Sequence, residues 1–413
     1  MGSHQKPVIV LRSNDTCALG AVRSLGMAGH DVTVVGFHYR GNPSWTAHKS
    51  VHCAKFLEIA NPADDPVSAA TQIRELLLSV AEQRGEAPAL LATSDTSLGL
   101  FDLLGSLEGL ATVMRSSRYP ASEVDLNDKI VQGLVVKQSG LRTPAFSSLH
   151  DLDSRLSDGD LRFPLIVKPK KKGLEQSFYQ RHGGRKGIRF RTRDELRASE
   201  EVREYGSELI FQSYIENGRK SEVCAYVSRR SADGSLYTMS VQKKYVTPHP
   251  FGTAAVVETV NMFELEQEAA RLAKYLEWDG VLMVEFKFDE RDQEWKCIEV
   301  NFRPWLLIDF PRRHGLNFLA HWLSRGGEVQ SRRLDSGYSH VSLEYLRKAL
   351  IERGVKFGLE PVIEVLESQA GIVSIEEWDP DDLELSKQHL RFYGGDEWIG
   401  GLGGSRAIWK SSS

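Results

Sequence analysis

The first hundred residues alternate between short apolar runs and longer amphipathic stretches. Apolar positions at helical spacing cover residues 19–27 and 67–83. Three runs have the length and apolar content of buried strands: residues 7–11, 32–35 and 89–92. Strands that alternate with helices are typical of a parallel sheet. The pattern therefore predicts an α/β domain with a parallel sheet over about residues 1–118.

Polar residues stop two of these predicted strands. Arg12 and Asn14 follow the first strand, and Ser94 and Asp95 follow the last one. Ligands of open parallel sheets bind at the carboxyl ends of the strands. These four side chains are therefore candidates for contact with a substrate. The alternative is that they are only loop and helix-cap residues.

From residue 119 onward the pattern changes to strands with few helices between them. Asp128 can cap a helix that runs to about Ser139. Further runs of strand length follow: residues 165–167, 187–191, 209–212, 222–227, 237–243, 281–288 and 295–300. We predict an α+β unit with mainly antiparallel sheets over residues 119–330. Residues 331–413 are predicted to form a C-terminal extension with a helix at 342–353.

The segment from 280 to 305 has the pattern of a hairpin with acidic residues on one face. Pairing the apolar faces of its two strands places Glu285 opposite Glu299, with Asn301 two residues further along. The same alternation predicts Cys297 on the face of Glu299 and Ile298 on the apolar face. Like charges directly opposite each other destabilise a sheet, and a bound divalent cation removes that cost. Three oxygen ligands suit Mg²⁺ with a phosphate; the alternative is a solvated face of an amphipathic hairpin.

Two further features indicate a phosphate ligand. Lys168 ends the apolar run PLIVKP, and the basic, glycine-rich segment HGGRKGI covers residues 182–188. Glycines let the backbone approach an anion closely and present its N–H groups. The Walker and dinucleotide glycine fingerprints are both absent. A simple hairpin loop and a solvated basic face remain the alternatives for this segment.

Composition and charge narrow the class of protein. The formal net charge of −4 shows no basic surplus of the kind that nucleic-acid binders carry. The four cysteines lie far apart without a Cys-x-x-Cys pair, which argues against structural zinc and a disulfide framework and favours a reducing compartment. No run approaches the 18 apolar residues of a membrane span. We therefore expect a cytoplasmic protein with no nucleic-acid or membrane partner.

Taken together, several motifs resemble the ATP-grasp superfamily over about residues 119–325. In order they are Asp128-Lys129, PLIVKP, HGGRKGI, LIFQSYIENGRKSEV, the VEF strand and IEVNFRP. The segments QKKYVTPHPFGTA and VEFKFDERDQEWKCIEVNFRPW look most like the carboligase branch related to D-aspartate ligase. The resemblance implies a smaller part with a lid at 119–210 and a larger part with the metal hairpin at 211–330. Residues 1–118 look like the α/β domain that commonly precedes this fold.

The resemblance also implies how ATP is bound. The ATP phosphates would contact two lysines and a closing glycine loop: Lys129, Lys168, Gly183, Gly184, Lys186 and Gly187. The adenine would lie against a hinge formed by Phe211, Gln212, Ser213, Tyr214 and Ile215. Ser213 stands where many relatives carry an acidic residue, which shifts the expected adenine contacts towards the main chain. Glu222 would bind the ribose hydroxyl groups.

The remaining implied roles concern the reacting groups. Glu285, Glu299 and Asn301 would hold Mg²⁺, usually as two ions. Arg303 would stabilise the phosphate or the developing oxyanion, with help from Lys243 or Lys244. His249 lies in a loop expected near the substrate, although a plain surface turn is an equal alternative for it.

The function implied is that of an ATP-dependent carboxylate–amine ligase. Such an enzyme forms an amide through an acyl phosphate and releases ADP and phosphate. The expected partners are a small carboxylic acid and an amine, such as an amino acid or a small peptide, and homodimers are common among such enzymes. The alternatives are a small-molecule kinase or phosphotransferase, and an ATP-binding regulator without chemistry.

Overall fold

The computed structural model describes most of the chain, which is built around three β-sheets. The described residues are 6–13, 15–38, 46–121, 123–171, 174–216, 222–249, 252–325, 329–369 and 371–403. Within them, one sheet is N-terminal, a second belongs to a small middle part, and a third, larger sheet forms the centre of the molecule.

The N-terminal sheet is parallel, in the strand order β3-β2-β1-β4. Its elements are β1 (Pro7–Arg12), α1 (Asp15–Met27), β2 (Asp31–Phe37), β3 (Lys55–Ile59), α2 (Pro66–Arg84), β4 (Ala89–Ala92), α3 (Asp95–Leu98) and α4 (Leu100–Leu104). This confirms the predicted parallel-sheet fold of the N-terminal part. Strand β3 was not predicted, because exposed Lys55 and Glu58 interrupt its apolar residues.

The middle part carries a small antiparallel sheet in the order β6-β9-β7-β8. Its elements are α5 (Lys129–Gln138), β6 (Phe146–Ser147), α6 (Leu152–Ser157), β7 (Leu165–Pro169), α7 (Glu175–Arg181), β8 (Ile188–Phe190), α8 (Arg193–Ala198), α9 (Glu200–Tyr205) and β9 (Leu209–Ser213). Helix α5 begins where predicted, because the Asp128 carboxylate accepts a hydrogen bond from the N–H of Ile130 (2.9 Å).

The central sheet follows the order β14-β13-β10-β11-β12-β16-β17 and is antiparallel from β14 to β16. Its first elements are β10 (Val223–Arg229), β11 (Leu236–Thr247), β12 (Thr253–Val260), α10 (Phe263–Tyr275), β13 (Trp278–Asp289) and β14 (Glu294–Asn301), and β5 (Arg115–Ser116) pairs with β13. The sheet confirms the predicted α+β class. Helix α10 was missed, although its buried Leu265, Ala269 and Leu272 repeat at helical spacing.

The C-terminal residues continue the central sheet. Their elements are α11 (Phe318–Leu323), β15 (Arg332–Leu334), β16 (Tyr338–Val341), α12 (Leu343–Glu352), α13 (Leu359–Glu367), β17 (Ile372–Ile375), α14 (Leu383–Gly394) and α15 (Asp396–Gly403). Strand β16 pairs with β12, and β17 pairs with β16. Helix α12 agrees with the helix predicted at 342–353. None of the helices in the described ranges is long and apolar enough to cross a membrane.

One apolar core joins the N-terminal sheet to the central sheet. Leu19 and Val22 of α1 belong to the same buried cluster as Tyr226, Met283 and Trp305 from the central part. Helix α1 is therefore shared between two sheets. This contact brings the carboxyl ends of the N-terminal strands to one face of the central sheet, where the cleft described next is found.

Candidate active site

A cleft lies where the three sheets meet, and most of the predicted site residues line it. Those that do are Ser94, Asp95, Lys129, Lys168, Lys186, Gln212, Ser213, Tyr214, Ile215, Glu222, Lys243, Glu285, Glu299, Asn301 and Arg303. They come from segments separated by more than two hundred positions in the chain. The fold therefore gathers the acidic, basic and hinge residues into one cavity.

The two strands of the acidic hairpin pair as the sequence predicted. Glu285 of β13 lies opposite Glu299 of β14, and Asn301 pairs with Met283 two residues further along. Both glutamates and Asn301 line the cleft. Two carboxylates and one amide oxygen therefore border the same space, which is a suitable ligand set for Mg²⁺.

The hairpin contains a β-bulge that the alternation pattern did not predict. Phe286 pairs with Cys297 whereas Glu285 pairs with Glu299, so Ile298 is an extra residue on β14. The predicted faces of Cys297 and Ile298 were wrong for this reason. Cys297 is buried in the apolar core behind the sheet, and Ile298 lines the cleft beside Glu299.

Lys243 lies between two of the cleft carboxylates. Its ammonium group donates a hydrogen bond to Glu285 Oε2 (2.9 Å) and a shorter one to Glu222 Oε1. Burial alone would lower the pKa of Lys243, but Cys224, Glu222 and Glu285 raise it well above its usual value. Burial raises the pKa of Glu285, and Glu222 and Glu299 raise it further against the effect of Lys243. The cluster therefore holds acidic groups whose charge needs a cation nearby.

Glu222, Glu285 and the buried thiol of Cys224 present atoms within 4.8 Å of one another. Burial raises the pKa of Cys224 well above its ordinary value. Cys224 therefore stays a neutral thiol at neutral pH and is a poor ligand for a hard cation such as Mg²⁺. The oxygen atoms are the relevant donors here.

Two lysines approach the acidic hairpin from the middle part of the chain. Lys168, on β7, directs its ammonium group towards the carbonyl oxygen of Ile298 (3.5 Å). Burial lowers the pKa of Lys168, and Lys129 lowers it further, while Glu299 opposes the change. Lys129 donates to Glu175 Oε1 (2.5 Å) and to the carbonyl oxygen of Pro169 (3.2 Å). The two ammonium groups and the acidic hairpin thus border the same cavity.

The hinge after β9 is fixed by the protein's own main-chain contacts. The N–H of Ser213 donates to Ala145 O (2.8 Å), and the N–H of Tyr214 donates to Pro164 O (2.8 Å). The carbonyl oxygen of Tyr214 accepts from Arg291 Nη2 (3.1 Å). These three main-chain groups already have partners within the protein, and contact of the adenine with the main chain of this hinge stays a prediction. The Gln212 side chain and Ile215 line the cleft beside them.

The N-terminal sheet contributes an ion pair to the cleft. Arg303 donates from Nε and Nη2 to the two oxygens of Asp95 (2.9 and 2.7 Å). Burial would lower the pKa of Arg303, but Asp95 raises it above its usual value. Ser94 lines the cleft and also caps α3, so its role as a helix cap is confirmed and its contact with a substrate stays a prediction.

Three of the predicted substrate contacts lie elsewhere or cannot be placed. Arg12 is 1% exposed and does not line the cleft; its Nη1 lies 3.4 Å from His48 Nδ1 and its guanidinium lies over Phe56. His249 is exposed, its N–H donates to Glu352, and it does not line the cleft. Asn14 lies outside the described residues.

Most of the glycine-rich loop stands away from the cleft. Gly183 and Gly184 have positive φ values of 59° and 81°, which favour glycine, and both are exposed. Gly187 is buried against Ile166. In the described part of this loop only Lys186 lines the cavity. Helix α7 (Glu175–Arg181) directly precedes this loop.

The cleft residues that were not predicted include four with polar groups that could contact a ligand: Glu175, Tyr179, Lys287 and Tyr345. Glu175 and Tyr179 lie on α7, whose seven residues are too few to give a clear helical period. Lys287 could have been found, because it lies two residues after Glu285 and so shares its face of the strand. Tyr345 comes from the C-terminal helix α12, and no local pattern connects it with the hairpin.

Comparison with known proteins establishes the fold. No protein-family model matches the sequence, and no curated protein matches it. Among solved structures, biotin carboxylase from Campylobacter jejuni aligns with a TM-score of 0.56 at 15% identity, over 79% of this chain and 73% of that one. N5-carboxyaminoimidazole synthetase from Staphylococcus aureus, complexed with ADP, aligns with a TM-score of 0.52 at 14% identity, over 74% and 72%.

A third similar structure is an L-amino acid ligase from Bacillus licheniformis. It aligns with a TM-score of 0.50 at 16% identity, over 77% of this chain and 73% of that one. At 14–16% identity, the similarity to these three structures shows the fold alone. The closer resemblance to the D-aspartate ligase branch stays a prediction. The chain has the ATP-grasp fold that these ligases share.

Proposed function

We propose that this protein is an ATP-dependent ligase that joins a small carboxylic acid to an amine through an acyl phosphate. The observation that carries the proposal is the facing pair Glu285 and Glu299, with Asn301 beside them and Lys168 directed at the same strand. A metal–phosphate site of this composition suits phosphoryl transfer, in which the protein mainly orients groups and neutralises charge.

The proposed reaction has two steps, phosphoryl transfer and then amide formation. A carboxylate oxygen of the acid attacks the γ-phosphorus of ATP, the bond to the β-γ bridging oxygen breaks, and ADP leaves with the electron pair. The amine then attacks the acyl carbon, the bond from that carbon to the phosphate oxygen breaks, and inorganic phosphate leaves. The amine nitrogen gives up a proton as the amide forms. The described cysteines that are buried keep raised thiol pKa values, and the scheme needs no protein nucleophile.

Glu285, Glu299 and Asn301 would hold Mg²⁺. Their fit rests on the donor chemistry, because three oxygen ligands come from adjacent strands and burial beside two other carboxylates raises the pKa of Glu285. When bound, the ion would neutralise the charge of the phosphate oxygens as the phosphoryl group transfers. Two ions fit the proposal as well as one does.

The basic residues of the cleft have distinct proposed roles. Lys168 and Lys129 would contact the phosphates of ATP, with Lys186 joining them from the glycine-rich loop when that loop closes. Lys243 would help to balance the charge of Glu222 and Glu285. Arg303, held by Asp95, would stabilise the oxyanion that develops on the acyl carbon.

The remaining proposed contacts orient the nucleotide. The side chain of Gln212 and the segment through Ile215 would face the adenine, and Glu222 would accept from ribose hydroxyl groups. Closure of residues 183–187 over the phosphates would exclude water, which would otherwise hydrolyse the acyl phosphate. The positions of Gln212, Ile215, Glu222 and Lys186 at the cavity wall support these proposed roles.

The direct test is Glu299→Gln, assayed for ADP release with a panel of acids and amines and with mass detection of the amide. The substitution removes a ligand charge but keeps the size of the side chain, so ADP formation should fall by more than about 100-fold. The control is Glu294→Gln, at the start of the same strand, where Glu294 pairs with Arg142. This variant should keep wild-type activity, and both variants should stay folded by circular dichroism.

The same assay separates the competing functions. A phosphorylated acid that accumulates whether or not an amine is present would identify a kinase. Binding of Mg-ATP without ADP release for any acid and amine would identify a regulator. Normal turnover in Glu299→Gln would rule out the proposed metal site.

A further inference from the structure

The cleft changes from polar to apolar along its length. On β13 the residues that face the cleft are Lys287, Glu285 and Met283, in that order along the strand. Glu222 directly precedes the neighbouring strand β10, and Tyr226 of β10 pairs with Met283. Residues on one face of a strand are roughly 7 Å apart for each step of two. On these two strands the charged side chains therefore end within one such step of Glu285.

Beyond that point the side chains on this wall of the cavity are mainly apolar and well packed. They are Tyr226, Met283, Trp305, Leu306 and Leu307. All but Leu306 are under 10% exposed. The rings of Tyr226 and Trp305 lie 4.1 Å apart, and Phe318 supports Trp305 edge-on at 5.3 Å. Because these rings hold one another, this apolar end exists before any ligand binds.

The opposite end of the cleft is the hinge end. Lys287 lies 5.7 Å from the ring of Tyr214, and Arg291 donates to the carbonyl oxygen of Tyr214. A nucleotide with its base at this hinge and its phosphates near Glu285 and Glu299 would run from the hinge to the middle of the cleft. The apolar end would then lie past the terminal phosphate, where the phosphoryl acceptor must be.

A charged pair borders the apolar end. Arg303 comes two residues before Trp305, and its guanidinium makes two hydrogen bonds with the carboxylate of Asp95. A cation and an anion side by side match the carboxylate and ammonium groups of a free amino acid. A large apolar wall beside such a pair matches an apolar side chain on that amino acid.

From these features we infer that one of the two substrates is an amino acid with a large apolar side chain, such as leucine, methionine or phenylalanine. The inference rests on the proposed ligase function and specifies its substrate class. The side chain would occupy the apolar end, and the carboxylate and ammonium groups would lie near Arg303 and Asp95. The same amino acid can serve as the acid or as the amine, and the test must separate these roles.

The first experiment measures ADP release by the full-length wild-type protein with Mg-ATP. Glycine, alanine, leucine, methionine, phenylalanine, aspartate and lysine are each supplied alone and with every other member of the panel. We expect kcat/KM to be at least about tenfold higher for leucine, methionine or phenylalanine than for alanine or aspartate, because each added methylene gains apolar contact. The roles of acid and amine are separated with two derivatives of the preferred apolar amino acid. Its N-acetyl derivative can act only as the acid, and its carboxamide derivative can act only as the amine.

A matched pair of variants tests the location. Leu306→Val removes one methylene from the cavity wall, and Ile308→Val removes one methylene from a buried residue two positions away that does not line the cavity. Leu306→Val should raise the KM of the apolar amino acid about fivefold and leave the KM of ATP unchanged. Ile308→Val should change neither KM.

The outcomes separate the two proposals. If neither these amino acids nor the wider panel of acids and amines, alone or combined with them, releases ADP, the ligase function is wrong and the substrate class is wrong with it. If only acids and amines that are not apolar amino acids release ADP, the ligase function stands and the substrate class is wrong. If ADP release is as efficient with aspartate or lysine as with leucine, or if Leu306→Val and Ile308→Val behave alike, the ligase function stands and the apolar substrate class is overturned.

Discussion

At the scale of single residues, Lys243 is the cation nearest to two buried carboxylates. Its ammonium group contacts both Glu222 and Glu285, and its side chain is only 12% exposed. Removing one partner of a buried ion pair leaves uncompensated charge, which costs about 3–5 kcal/mol. Lys243 therefore has a structural effect in addition to its proposed role towards ATP.

We expect Lys243→Met to lower the melting temperature by several degrees in the absence of Mg²⁺ and to abolish ADP release. Excess Mg-ATP should recover part of the lost stability, because a bound cation can take over the neutralisation of the carboxylates. Thermal unfolding with EDTA and with Mg²⁺ and an ATP analogue measures both effects.

The neighbouring lysine provides the control. Lys244 pairs with Glu258 at a more exposed position of the same strand, and such pairs contribute about 0–1 kcal/mol. Lys244→Met should melt within a degree or two of wild type and keep ADP release. Equal behaviour of the two variants would contradict a special position for Lys243.

At the scale of elements, the glycine-rich loop at 182–188 is the segment that we propose closes over the phosphates of ATP. Arg185 and Lys186 are both exposed, and they follow two glycines with positive φ. We expect trypsin to cut after these residues, and Mg²⁺ with a non-hydrolysable ATP analogue to slow this cleavage several-fold because the closed loop is protected. Mass spectrometry of the fragments measures the rate.

Cleavage at Arg353 serves as the internal control. Arg353 is exposed after α12 and does not line the cleft, so its cleavage rate should not respond to the nucleotide. A loop that is cut equally fast with and without the analogue would show that residues 183–187 do not close over the phosphates.

The elements also show what a sequence can and cannot predict. The register of Glu285 with Glu299 was predictable. Each strand of the hairpin has one apolar face, and the pairing that places both apolar faces on the same side of the sheet sets Glu285 opposite Glu299. The bulge at Ile298 was not predictable, since period-two alternation contains no information about an extra residue. Helix α10 has a clear helical pattern of apolar residues and was therefore predictable, whereas α7 is too short to show one.

At the scale of the whole molecule, the C-terminal residues are part of the site as well as of the fold. Tyr345 of α12 lines the cleft, and β16 and β17 extend the central sheet. Arg23 of α1 donates to Asp382 (3.1 Å) and to the carbonyl oxygen of Glu376 (2.9 Å). These contacts tie the first helix to the end of the chain, and such long-range pairing leaves no local trace in the sequence.

The buried junction near the C-terminus should make stability depend on pH. Burial raises the pKa of Glu377 to about 7, against the N–H groups of Leu343 and Glu344, which donate to its carboxylate. Between its ordinary value of 4.5 and about 7, the folded protein binds a proton that the unfolded chain lacks. The stability from this group is therefore complete below 4.5 and is lost as the pH rises through 7.

Glu377→Gln tests this dependence, because the amide remains neutral at every pH. Its one carbonyl oxygen can replace only one of the two carboxylate oxygens that accept from Leu343 and Glu344, so the variant should be less stable than the wild type at pH 5 by the cost of that hydrogen bond. From pH 5 to pH 8 the stability of the variant relative to the wild type should rise by about 1–3 kcal/mol, which is a relative rise of a few degrees in melting temperature. Glu367→Gln, at the exposed end of α13, is the control, and its difference in stability from wild type should be the same at every pH.

Buried histidines such as His340 change the stability with pH in the opposite direction. Burial lowers the pKa of His340, so protonation of its ring in acid destabilises the fold. Only the difference between variant and wild type isolates Glu377, and a difference that does not change from pH 5 to pH 8 would show that its carboxyl group is not protonated in the folded protein.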